Sequence, residues 1–345
     1  MKSRTSVAGT LGAIVVALGM AAPAQAQEFT FSIHHFLSPK ALNHTALIEP
    51  WAKAVEEASD GRIAFEIFPA MALGGKPPEL YSQVRDGVVD LVWTLPGYTP
   101  GVFPRLEVFE LPSVHRGSAE ATNLAIQDMM AAIGPDLADV HPILVHVHAG
   151  NALHLASGEV NSLADFAGLK VRSPSRTGVW MLEELGAEPV GMPVPALPQA
   201  LSKKTVDAAL VPFEVAIPLR LAELTETSVE LHDGGRFGAA TFLFAMNKDA
   251  YESLPPDLQK VIDAHSGAAL AGRMGEAWDG IEPVGKKIAT DAGNSVVALD
   301  EAATASLNPA FEAVEERWLA EVEENGIDGA ALLSGAKAAV ARHSE

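Results

Sequence analysis

Cysteine is absent from all 345 residues, which excludes disulfide staples, thiolate metal sites and cysteine nucleophiles together. A chain of this length can bury enough apolar surface to fold without staples, and about two domains are expected. Positive charge is also scarce. Lys and Arg number 24 against 44 Asp and Glu, a formal net charge of −20. Such a surface repels nucleic acid and anionic lipid, so neither is an expected partner. It does not forbid an anionic ligand, because one buried arginine can set the field inside a pocket. Aromatic residues make up only 6% of the chain, which weakens any case for a sugar-stacking or base-stacking protein. Long apolar runs are missing after the first residues. The one at the start, Val7 to Met20, follows Lys2 and Arg4 and ends in Ala21-Ala22-Pro23-Ala24-Gln25-Ala26. A basic tip, a short apolar stretch and small residues at the end read as a secretory signal peptide over residues 1–26. Cleavage would leave Gln27 first in an exported chain with no stable membrane insertion.

Local catalytic motifs are missing too. The chain has no Gly-x-Ser-x-Gly elbow, no His-Glu-x-x-His and no phosphate-cradling glycine loop followed by lysine. An exported enzyme with a dispersed site is therefore the weakest reading, and no cofactor is expected. One metal alternative stands. His146 and His148 lie two apart in the apolar stretch Ile143 to Asn151, a spacing that puts both on one strand face, as in some zinc sites. A third ligand is not evident, and histidines on a partly solvated face are the plainer account.

What is present is concentrated between Asp165 and Pro212. Gly168 releases the strand Leu169-Lys170-Val171-Arg172, broken by Ser173-Pro174. A helical stretch from Thr177 to Leu185 stops at Gly186. Then follow Pro189-Val190-Gly191, a short helix, and Val206-Asp207-Ala208-Ala209-Leu210-Val211-Pro212. Strand, helix, strand, helix, strand at this spacing is a parallel βαβαβ unit, whose ligands sit at strand ends. Arg172 stands at such an end, where a guanidinium can grip a carboxylate through two parallel hydrogen bonds. A surface arginine capping a strand is the alternative. Residues 29–94 repeat the plan without repeating the residues: strands at Phe29–His34, Ile63–Ile67 and Val88–Thr94 alternate with helical spacing.

The order Gly168-Leu169-Lys170-Val171-Arg172, Leu185-Gly186-Ala187, Pro189-Val190, Met192-Pro193 and Val206-Asp207 resembles the solute-binding proteins of tripartite ATP-independent periplasmic (TRAP) transporters, the dicarboxylate-type family. The resemblance implies an α/β, two-lobed periplasmic binding protein fold of type II-like form. Each lobe would be a mixed sheet flanked by helices, with hinge segments and a long helix joining the two. Lobe I would hold residues 27–149 and 238–277, lobe II residues 150–237 and 278–325, and residues 326–345 a C-terminal helical tail. It implies a periplasmic monomer that binds a small organic acid and delivers it to separate membrane permease subunits. It places the carboxylate-holding role on Arg172. It also turns the first-lobe strand ends toward the same cleft, making His34, His35, Trp93, Thr94 and Tyr98 candidate walls, with Asn151, Phe213 and Glu214 from the second lobe.

The sequence also departs from that family. Asn151-Ala152 stands where many members carry a second arginine, and Val211 where many carry asparagine before proline. Without those clamps a monocarboxylate is the expected ligand. Glu214 either caps the helix after Pro212 or faces a small amine. Glycines at 234, 235 and 238 suit a hinge. Pro255-Pro256 opens a helix expected to run to about Trp278, with Pro283 bending or ending it.

Overall fold

Alternating apolar residues in Phe29–His35 (β1) and Ile63–Phe68 (β2) form two parallel strands, paired from Phe29–Ile63 to His34–Phe68. Leu91–Thr94 (β3), buried throughout, joins β1 on its other edge, also parallel. The second half of the chain builds the same core from Lys170–Ser173 (β6), Glu188–Gly191 (β7) and Ala208–Val211 (β8), with β6 parallel to both neighbours. The computed structural model describes residues 27–344, and the expected signal segment 1–26 lies outside them.

Each core is then completed by strands that cross between the two bodies. Val140–Val147 (β4) stays in the first sheet, and Ala152–Leu155 (β5) enters the second antiparallel to β8. Thr227–Glu230 (β9) pairs with β5, and the chain returns through Thr241–Asn247 (β10), antiparallel to β3 and β4. Ser295–Ala298 (β11) finishes the second sheet beside β9. The orders are β2-β1-β3-β10-β4 and β11-β9-β5-β8-β6-β7. The fold is thus α/β and two-lobed, with mixed sheets flanked by helices.

The crossovers are bonded to each other. Asn151 N–H donates to Gly238 O at 2.8 Å, and Phe237 N–H donates to Asn151 O at 3.0 Å. Gly238 has φ +66°, and a Cβ there would stand 2.8 Å from Glu110 O, so only glycine fits this pairing.

Helix boundaries depart from the sequence reading in two places. The stretch after Pro255 is two helices, Pro256–Ala264 and Ala268–Asp291, separated by Gly267 at φ +68°. The second is not ended by Pro283 but runs 24 residues through it. Packing on both sides outweighs the one hydrogen bond a proline removes. Gly275 lies against the backbone of Glu120, and Gly285 against Phe213, so this helix rests on both lobes at points without side chains. Asp279 reinforces the first seat by accepting from Ala119 N–H at 2.6 Å and Ser118 Oγ at 2.9 Å. The chain end, read as a helical tail, is indeed a helix of 15 residues, Gly329–His343, capped by Asp328 and packed on the helix Ala119–Asp128.

Candidate binding site

The carboxyl ends of the parallel strands in the two sheets face each other across a narrow, mostly apolar cavity. The first lobe supplies Phe36 and Leu37 after β1, Leu95 and Tyr98 after β3, and Phe242 from β10. The second supplies Arg172 from β6, Val194, and Val211, Pro212, Glu214 and Val215 around the end of β8. His148, Asn151 and Ala240, on the crossovers, close the back.

Arg172 is no surface cap: it is 2% exposed. Val171 beside it packs into the core on one face of the strand, and alternation turns Arg172 to the other face, where it is buried as well. Its Nε donates to Met192 O and its Nη1 to Leu210 O, each at 2.9 Å, which locks the guanidinium plane. Nη2 is buried without an acceptor. Among the described residues no carboxylate forms an ion pair with Arg172, and burial lowers its pKa from the ordinary arginine value. A desolvated cation with a terminal nitrogen, Nη2, left over is costly to the protein alone and suited to an incoming anion.

Glu214 is the acidic residue of the wall. Trp278 Nε1 donates to its Oε1 at 3.3 Å. Burial, then repulsion from Glu282, pushes its pKa up to about 8, so it carries a proton at neutral pH. Glu282 is pushed to about 6 by the same burial, offset by Arg236 at 3.2 Å, so it holds the negative charge of the pair. The capping role considered for Glu214 belongs to Glu282, whose Oε1 accepts the Glu214 N–H at 3.1 Å.

Of the residues named from sequence, Tyr98, Asn151, Arg172 and Glu214 meet at the cavity. The others stand behind it. Trp93 stacks on Phe242 at 4.6 Å and Phe36 at 5.1 Å, bracing the wall from the core. Thr94 is buried within β3. His34 Nδ1 lies 2.9 Å from Gln83 Oε1, and His35 Nε2 lies 2.9 Å from His44 Nδ1, both away from the cleft. Burial takes the His35 pKa down to about 3, so that ring is neutral. Phe213 packs on His154 at 4.9 Å, under the long helix.

His146 and His148 are fully buried, not partly solvated, and each already accepts an N–H at a ring nitrogen. His146 Nε2 accepts from Trp93 Nε1 at 3.0 Å, and the two His148 nitrogens lie 2.9 Å and 3.2 Å from the backbone N–H groups of Gly150 and Ala240. Among the described residues no group of three or more His, Asp and Glu side chains is placed to hold a metal ion.

Two lobes on paired crossovers, enclosing an apolar cavity with one cationic donor, define a cleft-type binding protein for small solutes. The chain belongs to the bacterial extracellular solute-binding proteins, family 7, whose pattern matches residues 33–325. It is a TRAP solute-binding protein, as its structural neighbours are. One neighbour, from a marine metagenome, is described as specific for aromatic acid ligands and was crystallised with 3-hydroxybenzoate. It is 42% identical, with a TM-score of 0.90 over 93% of this chain and 100% of that one. A second, from Rhodoferax ferrireducens, carries copurified benzoate. It is 40% identical, with a TM-score of 0.88 over 91% and 98% of the two chains. A Comamonas testosteroni protein named outer membrane transporter protein TsaT is 24% identical over 93% of this chain and 94% of its own.

Proposed function

We propose that this chain captures an aromatic monocarboxylate in the periplasm and hands it to TRAP membrane permease subunits, without turning it over. The observation that carries this reading is the unpaired, buried Nη2 of Arg172 in a mostly apolar cavity. Arg172 is the only lysine or arginine among the residues lining the cavity, so a second carboxylate would have no cation. An aromatic ring suits Phe36, Leu95, Val194 and Phe242, and the relatives that bind benzoate and 3-hydroxybenzoate support it. Tyr98 contributes a second donor beside Arg172. The solute would enter with residues 27–149 and 238–277 swung away from 150–237 and 278–325, and closure would shield it from water.

The test is thermal shift on the purified chain with benzoate, benzamide and succinate. Benzoate is expected to raise the melting temperature with dose, as any ligand of the folded state does. Benzamide, the same shape without the charge, and succinate, with two charges, are expected to leave it unchanged. A shift with succinate or benzamide but none with benzoate would contradict the reading.

A further inference from the structure

We propose that Tyr98 is an interlobe latch set by the bound carboxylate, holding the cleft shut through the backbone of Val194. The inference rests on the acid-binding reading above. Tyr98 ends the short turn Pro96–Tyr98 that follows β3, so it moves with the first lobe. Val194 and Arg172 belong to the second. Across the cleft, Val194 N–H donates to Tyr98 Oη at 2.8 Å. A phenol also has one proton to give, and no acceptor among the described residues takes it. The Arg172 guanidinium lies beside the same hydroxyl. A carboxylate seated on Arg172 Nη2 would supply the missing acceptor.

The resulting chain runs from Val194 N–H to the phenol oxygen, then from the phenol O–H to the carboxylate. Each hydrogen bond polarises the next, so the oxygen accepts better once its own proton is engaged by an anion. Occupied and empty clefts are thereby distinguished at one atom that spans both lobes. The neighbouring backbone is built for this close approach. A Cβ on Gly97 would stand 2.7 Å from Ser175 Cβ of the opposite lobe, so glycine lets the turn carry Tyr98 into contact. Phe36, with its ring 5.4 Å away, holds the phenol in place.

A latch that forms after docking acts on escape more than on encounter. The test is stopped-flow kinetics with benzoate on Tyr98→Phe, Val194→Pro and the double variant. Tyr98→Phe keeps the ring and removes the hydroxyl. Val194→Pro removes the lobe II donor and leaves the hydroxyl free to touch the ligand. Position 194 opens a short 3-10 helix, where proline is tolerated, and Pro193 at ψ 140° suits a following proline. Each single substitution is expected to raise koff about tenfold with kon within about threefold. The double variant should dissociate no faster than Tyr98→Phe.

A Val194→Pro koff within about twofold of wild type, multiplicative effects in the double variant, or losses carried by kon would overturn the latch. Small-angle scattering of Tyr98→Phe provides an independent reading. At saturating benzoate its profile should be less compact than that of wild type, and identical profiles would also overturn the proposal. Failure of wild type to bind benzoate is a separate outcome, which removes the acid-binding reading and the latch with it.

Discussion

Replacing Arg172 by alanine is expected to weaken aromatic monocarboxylate binding by roughly 30-fold to several thousand-fold. Removing one partner of a buried, hydrogen-bonded charge pair costs about 2–5 kcal/mol, and about 1.4 kcal/mol is tenfold in affinity. The upper part of that range applies when nothing else replaces the cation. In this cavity no other lysine or arginine lines the wall. The guanidinium is also held before the ligand arrives, by Met192 O and Leu210 O, so little ordering remains to oppose binding. Arg172→Lys keeps a charge but loses the fork that spans those two carbonyls and the ligand, so it should recover only part of the loss. The comparison is made by calorimetry with benzoate, after circular dichroism confirms folding. A folded Arg172→Ala that binds within about fivefold of wild type would mean that the acid is held elsewhere, since an exposed pair is worth about 0–1 kcal/mol.

Affinity for benzoate is expected to fall as pH rises through about 8, by up to tenfold for each further unit. The sign follows from Glu214. Its pKa is raised by burial and by Glu282, so the side chain is neutral below about 8 and anionic above it. A neutral carboxyl shares the cavity with a bound carboxylate without repulsion, whereas an ionised one puts a second negative charge in the same low-dielectric space. A bound anion raises that pKa further, so binding above pH 8 takes up a proton. Glu214→Gln preserves shape and neutrality and should flatten the profile. If the ligand were an amine, the dependence would reverse, with affinity rising as Glu214 ionised. Titrations from pH 6.5 to 9.5 on both proteins separate these cases.

The parallel βαβαβ unit was legible because its signals are local. Gly168 and Gly186 mark turns, and the strand at Val171-Arg172 is short and stops at Ser173-Pro174. The crossing of β5 and β10 into the opposite sheets follows from the family resemblance, which divides the chain after residues 149 and 237, and from no local pattern. Partner choice at a crossover is decided by pairing with residues far along the chain, such as Ala152 with Val211. The same limit applies to the cavity wall. The sequence points to His34, His35 and Thr94, whereas the cavity is lined by Phe36, Leu37 and Leu95, one or two positions later. A strand end can be read from alternation, but which residue of the following turn faces the cleft depends on the lobe opposite. Pro283 shows a tertiary override in the other direction. A residue that breaks isolated helices sits inside one here, because Gly275 and Gly285 let that helix pack closely on both lobes. The pairing of Glu282 with Arg236 and its effect on Glu214 join three segments distant in sequence, so no local pattern announces it.

The most direct measurement is a crystal structure of the chain grown with benzoate. The carboxylate is expected within hydrogen-bonding distance of Arg172 Nη2 and the Tyr98 hydroxyl, with the ring against Phe36 and Phe242 and no charged group at its far side, Glu214 being protonated and neutral. Benzoate found outside this cavity, or inside it with its carboxylate turned away from Arg172, would contradict the account.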